Sequence, residues 1–371
     1  MGEGRRLNIL QVISGKTWSG GQQQTLHLLT GLRKRGHNSI LACPPGSQLG
    51  GKAEELGIKV YRVPMRKEAD MSSVRQLYRI MKEERVDVVN AQRPSSHTLG
   101  LIAARLARVP VFVATRRVSV PVNFFSAKLK YSLADRVISV SDAVRDILIG
   151  CGVQPRKIVT VYSGIDLSRF NPDKVEGSRI REEFGIFPDT PLVGMIGNVG
   201  RFKGQREFLK AAKIVLRDVP NARFMLVGSG AEKGFIDGID KEMLPYFVCA
   251  GFRKDIPEIL AALDVHVNSS IGFDGLAGTI REGLTMRRPT VATDVAGHKE
   301  IIRDMETGLL IPSGDDKALA LAIVKLVKDK ELAFRLAAKG REFVERNMAE
   351  DIMVERTEAV YLDALREKGL Y

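Results

Sequence analysis

The sequence predicts an α/β protein of two doubly wound, parallel-sheet domains facing each other across a cleft. Three observations lead there. The length, 371 residues, fits two domains at roughly 100–200 residues each. Short β-branched runs alternate with longer helical patterns, as parallel strands joined by crossover helices do. The alternation breaks at 163–191, where Gly164, Pro172, Pro188 and Pro191 stand among polar residues, and then resumes.

The first half opens with a buried strand at 7–14 (LNILQVIS). A glycine-rich turn at Ser19, Gly20 and Gly21 leads into a helix that stops at Gly36. Strands follow at 38–43 and 59–63, a helix at 72–84, and a strand at 86–91. A helix at 99–107 precedes strands at 111–115, 136–140 and 159–162. The second half places strands at 192–197, 223–227, 247–250, 265–268, 290–293 and 308–311. Its helices are expected at 207–216, 256–263 and 278–285, with a short one near Lys299. Residues 316–370 read as almost wholly helical. The expected domains are 1–165 and 166–345, with a C-terminal segment 346–371 able to pack back on the first.

Composition narrows the function. A 44% hydrophobic and 27% charged chain is neither disordered nor collagenous. Cys43, Cys151 and Cys249 are odd in number and far apart, which argues against a disulfide framework or a zinc cluster. Five histidines show no metal-ligand spacing, so no metal is expected. The amino terminus has too short an apolar run for a signal peptide, and no window reaches the ~18 apolar residues of a membrane span. A reduced, cytoplasmic protein is expected. The net charge of +13 is unevenly spread: residues 1–165 carry 26 Lys/Arg against 11 Asp/Glu, a net of +15, and the remainder nets −2. An anionic partner for the first half is implied.

Three glycine-rich turns follow strands, at 19–21, 197–204 (GNVGRFKG) and 228–230. Each can be a simple tight turn. With Arg201 and Lys203 beside the second, together they favour a phosphate-bearing ligand, because helix-start amides attract anions. None matches GxGxxG with an acid about 20 residues on, so a dinucleotide fingerprint is absent. In FDGLAGTIREGL (273–284), Asp274 and Glu282 flank a glycine-rich segment. Two carboxylate acceptors beside exposed amides suit a polyhydroxylated ligand.

These segments resemble the family 4 retaining glycosyltransferases of the GT-B fold, similar to those that build bacterial lipopolysaccharide and cell envelope. The likeness rests on GGQQQTLHLLTGLRKRGH, ADRVISVSDAVRDIL and VYSGIDLSRFNP, then on IGNVGRFKG, LVGSG, the stretch 255–302 and TGLLIPSGD. It covers roughly residues 7–345. It implies two Rossmann-like domains and a nucleotide diphosphate sugar, UDP- or GDP-linked, as donor substrate, with no cofactor or metal. Lys203 would pair with the donor diphosphate, Glu282 would hold the ribose hydroxyls, and Arg253 would lie near the nucleobase. Asp274, with the amides of Gly275 and Leu276, would contact the transferred sugar. Gly20 and Gly21 would face the diphosphate or acceptor across the cleft.

The chain departs from the family pattern in three places. Asp274 replaces the usual Glu, and Asn198 stands where an Arg is usual, so Arg201 is expected to supply that charge. The histidine common after the fifth strand is absent. Arg116 and Arg117 stand there, and the resemblance makes Arg116 the candidate to stabilise phosphate in its place.

Phe125, Leu129 and Leu133 recur at helical spacing beside Phe124, flanked by Lys128 and Lys130. Such a stripe either packs on its own domain or lies on an anionic membrane, where each basic residue contributes about 1 kcal/mol. With Arg117, it is the candidate membrane and acceptor surface. The expected protein is therefore a hexosyltransferase, peripheral on the inner face of the cytoplasmic membrane, acting on an anionic lipid-linked or lipopolysaccharide-type acceptor. A sugar-nucleotide epimerase of the same fold fits the acidic signature less well. A nucleic-acid-binding protein fits poorly, with 6% aromatics and no recognition motif.

Overall fold

A computed structural model of the chain describes residues 5–67, 70–120, 130–230, 240–272 and 275–371. These form two compact units, Met1–Gly164 with Glu350–Tyr371, and Ile165–Ala349.

The first unit contains β1 (Asn8–Val12), β2 (Asn38–Cys43), β3 (Lys59–Arg62), β4 (Val88–Ala91), β5 (Val111–Arg116), β6 (Arg136–Ser139) and β7 (Ile158–Thr160). They make one parallel sheet in the order β3-β2-β1-β4-β5-β6-β7. Strands such as β4 and β5 are buried along their whole length, as a sheet covered on both faces requires. Between them run α1 (Gly20–Lys34), α2 (Gln48–Glu55), α3 (Met71–Glu83), α4 (Pro94–Ala107) and α5 (Asp142–Gly150).

The second unit contains β8 (Leu192–Ile196), β9 (Arg223–Val227), β10 (Phe247–Gly251), β11 (Val265–Asn268), β12 (Thr290–Thr293) and β13 (Leu309–Ile311). Its parallel order is β10-β9-β8-β11-β12-β13. Its helices are α6 (Ser178–Glu183), α7 (Gln205–Asp218), α8 (Ile256–Ala262), α9 (Gly278–Thr285), α10 (Asp316–Lys328) and α11 (Lys330–Met348). Phe208, Phe224, Val267, Ile323 and Leu336 are in its core.

The helical reading of 316–370 resolves into three helices, because the chain breaks at Asp329 and Ala349. Asp329 ends α10 and caps α11, its carboxylate accepting from the Leu332 N–H at 2.9 Å. The last helix, α12 (Glu350–Arg366), belongs to the first unit. There Val354, Tyr361 and Leu365 pack with Leu28 and Leu32 of α1 and with Ile9, Val88 and Val113 of the sheet. Gly31 makes that approach possible, since a Cβ there would lie 2.4 Å from a Val354 methyl. Side-chain bonds to its acids tie α12 down: His27 to Glu350, and His37 and Arg35 to Glu358, the latter two at 2.6 Å. His27 on α1 and His37 just after it thus serve as anchors for α12. Helices α2, α5 and α6 have no counterpart in the sequence reading; each is short, with little periodicity to detect.

Regrouping α12 alters the charge division. The first unit holds 29 basic and 17 acidic residues, a net of +12, and the second 28 and 27, a net of +1. The asymmetry survives although α12 and the tail after it carry more acids than bases.

Candidate active site

In the second sheet the chain runs from β8 outward to β9 on one side and to β11 on the other, which puts the switch point between β8 and β11. Ligands of open α/β sheets bind at the strand ends there. The loop after β8 is stitched to the loops of both neighbours. Toward β9, Gly197 N–H donates to Val227 O at 2.7 Å and Val199 N–H to Ser229 O at 2.9 Å. The Asn198 side-chain oxygen accepts from Ser229 N–H at 3.1 Å, while its carbonyl accepts from the Gln205 amide, also at 3.1 Å. Toward β11, Ile271 N–H donates to Phe202 O, and the Ser269 hydroxyl to Gly204 O, both at 2.8 Å. Gly204, at φ +77°, opens α7; a Cβ there would stand 1.7 Å from Ser269 O. Only glycine fits both constraints. A cavity of about 530 Å³ opens beside this loop, lined by Gly200, Arg201, Gly204, Gln205 and Ile271. Lys203 lies in the same loop, one residue before Gly204.

Glu282 lies on α9, after β11. Its carboxylate leans back toward the helix start, as helical side chains do, and would meet a Cβ on Gly278 at 3.9 Å. Burial pushes its pKa up, against the opposing pull of Arg281 and Arg169. Gly275 and Leu276 form the bend just before the helix. Loop 197–204, the 275–277 bend and Glu282 thus all lie at the ends of two adjacent strands. Asp274 lies outside the described residues.

In the first sheet the switch point lies between β1 and β4. Gly20 and Gly21 form the first turn of α1, behind an extended Ser19 whose side chain makes no cap bond. The Arg117 side chain lies against this turn, its Cδ 3.5 Å from where a Gly21 Cβ would be. Its guanidinium donates to the Gln92 side-chain oxygen at 2.9 Å and to the Ser163 hydroxyl at 3.4 Å. Arg116 differs from its expected role as a phosphate-facing cation. It is the last residue of β5, 4% exposed, and its guanidinium is bonded to the Tyr131 hydroxyl at 3.2 Å and to the Val120 carbonyl. Strand alternation sends neighbouring side chains to opposite faces, so Arg116 turns inward and Arg117 toward α1.

The other expected residues, and two buried histidines, take different places. Arg253 is held by Glu183 and Asp255 at 2.5–2.9 Å, and these bonds drive its pKa further up. His97 is buried within α4, bonded to Thr115 O at 3.0 Å, with its pKa pushed down to about 4 chiefly by burial. His298 is buried and bonded to Thr293 O at 2.8 Å. Lys130 is half-buried where the described chain resumes. Phe124, Phe125 and Lys128 lie outside the described residues. No helix among the described residues is long and apolar enough to cross a membrane.

Two Rossmann-like units, with glycine-rich and acidic strand-end loops in the second, define the GT-B class of glycosyltransferase. Residues 18–169 match the family model described as Glycosyltransferase Family 4, and residues 190–329 the model described as Glycosyl transferases group 1. With one match on each half, the chain belongs to this glycosyltransferase family. It is 29% identical over 283 residues to UDP-Gal:alpha-D-GlcNAc-diphosphoundecaprenol alpha-1,3-galactosyltransferase of Escherichia coli, covering 71% of this chain and 72% of that one. Among solved structures, a glycosyltransferase from Rickettsia africae superimposes with a TM-score of 0.89 at 20% identity, covering 97% and 99%. HepE of Anabaena, solved in complex with UDP, gives 0.85 at 19% identity, covering 96% and 100%.

Sequence reasoning missed Ser269, which locks the phosphate-type loop, and the buried amides Gln11, Asn90 and Gln92 around Arg117. One signal was available: a polar residue inside an otherwise apolar strand (NILQV, VVNA) needs a buried partner.

Proposed function

We propose that the protein is a retaining, metal-independent hexosyltransferase at the cytoplasmic face of the membrane. It moves a hexose from a UDP- or GDP-linked donor to an anionic lipid-linked or lipopolysaccharide-type acceptor. The observation that carries this reading is the stitched loop 197–204 together with the half-buried carboxylate of Glu282, at the ends of the two strands that flank one switch point. Lys203 and Arg201 offer cations to the diphosphate, and the α7 amides add a favourable dipole. Glu282 accepts the ribose hydroxyls, and those two donors stabilise a carboxylate that burial otherwise disfavours. Asp274 and the amides of Gly275 and Leu276 hold the hexose; Asn198 shapes the loop.

In the reaction, the bond from the anomeric carbon to the phosphate oxygen breaks as the acceptor oxygen bonds the same face of that carbon. The acceptor proton passes to the departing diphosphate, and cations about that diphosphate lower the barrier by stabilising developing charge. On the acceptor side, Arg117 beside the first turn of α1 takes the anionic group, which leaves Arg116 a structural part. Support for an anionic acceptor comes from the +12 charge of the first unit and from the diphosphoundecaprenol acceptor named for the E. coli relative.

Nucleotide release from a panel of UDP- and GDP-sugars, with EDTA in a parallel series, is the test. Release from one donor class that survives EDTA is expected; release from none, or its loss with chelation, overturns the reading. Sedimentation with anionic vesicles should exceed that with neutral ones and fall at high salt. Equal recovery in every condition removes the membrane from the proposal.

A further inference from the structure

The polar groups beneath Arg117 form one continuous chain, and its far end is on α12. Arg117 Nη2 donates to Gln92 Oε1 at 2.9 Å, and Gln92 Nε2 donates to Gln11 Oε1 at 2.7 Å. Gln11 Nε2 donates to the Tyr361 hydroxyl oxygen at 3.3 Å, which also accepts from Asn90 Nδ2 at 2.6 Å. Gln11, Asn90 and Tyr361 are fully buried and Gln92 is nearly so. A guanidinium only donates, so its neighbour must present oxygen, which fixes every amide down the line. The phenol oxygen ends the series by accepting from two N–H groups at once. Burial pushes the Tyr361 pKa up to about 12, keeping the hydroxyl neutral at any physiological pH.

We propose that Tyr361 is a positioning residue for Arg117: through Gln11 and Gln92 it holds the guanidinium beside the first turn of α1. Helix α12 is then more than a clasp on the first unit, because it sets the orientation of an acceptor-side cation to which it is joined through two side chains, Gln11 and Gln92. The proposal rests on the reading of Arg117 given under Proposed function. Without the phenol oxygen, two buried N–H donors lose their acceptor, and the Gln11 amide no longer has a reason to keep its oxygen toward Gln92. A guanidinium freed to sample other rotamers binds an anion more weakly, at the same formal charge.

The test uses the full chain with farnesyl diphosphate as probe for a prenyl diphosphate group, read by calorimetry, alongside KM values for donor and acceptor. Arg117→Ala and Tyr361→Phe should each weaken probe binding about tenfold and raise the acceptor KM, with the donor KM unchanged. The double variant should bind no more weakly than Arg117→Ala alone. Gln11→Met, which breaks the chain while sparing the phenol, should behave as Tyr361→Phe does. Thr115→Val removes the hydroxyl that donates to Asn90 Oδ1 at 2.8 Å and leaves the route to Arg117 intact, so it should change binding less than twofold. Weakening in Arg117→Ala alone, or full additivity in the double variant, overturns the role of Tyr361. No weakening in Arg117→Ala instead overturns the reading of Arg117 itself.

Discussion

The strand ends of the two units solve the same problem by different means. In the second unit, loop 197–204 is held by backbone bonds to both neighbours, and glycines allow the approach. In the first, side-chain amides hold the edge, from Tyr361 to Arg117, with a single glycine-rich turn beside them. A backbone-built site presents amides and dipoles suited to a diphosphate common to many donors. A side-chain-built site can change its charge and shape one residue at a time, which suits the acceptor role proposed for the first unit. Two acids withdrawn from solvent to different degrees, Glu358 buried and Glu282 half-buried, mark the same contrast. Glu358 is opposed by burial, yet its bonds to Arg35 and His37 hold its pKa below the usual carboxylate range. At Glu282 the opposing pull of Arg281 and Arg169 does not offset burial, and its pKa is pushed up.

The largest expected effect is at Glu282. Ala or Gln there should cut the donor kcat/KM by ~10²-fold, on the scale of lost hydrogen bonds to a charged group. Glu282 has a folded pKa raised above its unfolded value, so its stabilising contribution exists below the unfolded value and disappears as pH rises through the folded one. The thermal midpoint of Glu282→Gln should therefore match the parent near pH 4 and equal or exceed it at pH 7. A large fall at pH 7 would make Glu282 a structural residue. Gly204→Ala comes next: strain of about 1–3 kcal/mol, plus a clash with Ser269 O, should raise the donor KM sharply while the first unit is untouched. An unchanged donor KM would show that the stitching is incidental.

A smaller effect separates the adjacent arginines. Arg117→Ala should raise the acceptor KM about tenfold, near 1.4 kcal/mol, with little loss of stability. Arg116→Ala should lower the thermal midpoint, because its buried bonds to Tyr131 and Val120 vanish. The reverse pattern would restore Arg116 as the phosphate-facing residue. The smallest effect is at Glu358. Its pKa is depressed in the folded state, so its contribution is present above the unfolded carboxylate pKa and lost as pH falls through the folded one. Glu358→Gln should cost about 1–2 kcal/mol at pH 7 and progressively less in acid, followed by chemical denaturation. A pH-independent difference would detach Glu358 from the anchoring of α12.

Much of this was legible along the chain. The alternation of strands and helices was readable because buried parallel strands need continuous apolar runs and their crossover helices need a 3.6-residue period. Loop 197–204 and Glu282 were readable because glycines, cations and an acid at strand ends are local signals. The short helices α2, α5 and α6 were not, since one or two turns carry too little periodicity to stand out.

Sequence by itself determined the class of fold, the glycine-rich loop 197–204 and the concentration of positive charge before residue 165. Each depends on neighbours within a few residues or on simple counting. Tertiary structure alone decided which of two adjacent arginines is spent in the core, what Asn198 and Ser269 hold, and that a tyrosine 244 residues beyond Arg117 is joined to it through Gln92 and Gln11. Those outcomes depend on which side chains meet after the sheet has formed and α12 has returned to it. The chain order of residues carries no record of such meetings until burial forces every polar group to find a partner.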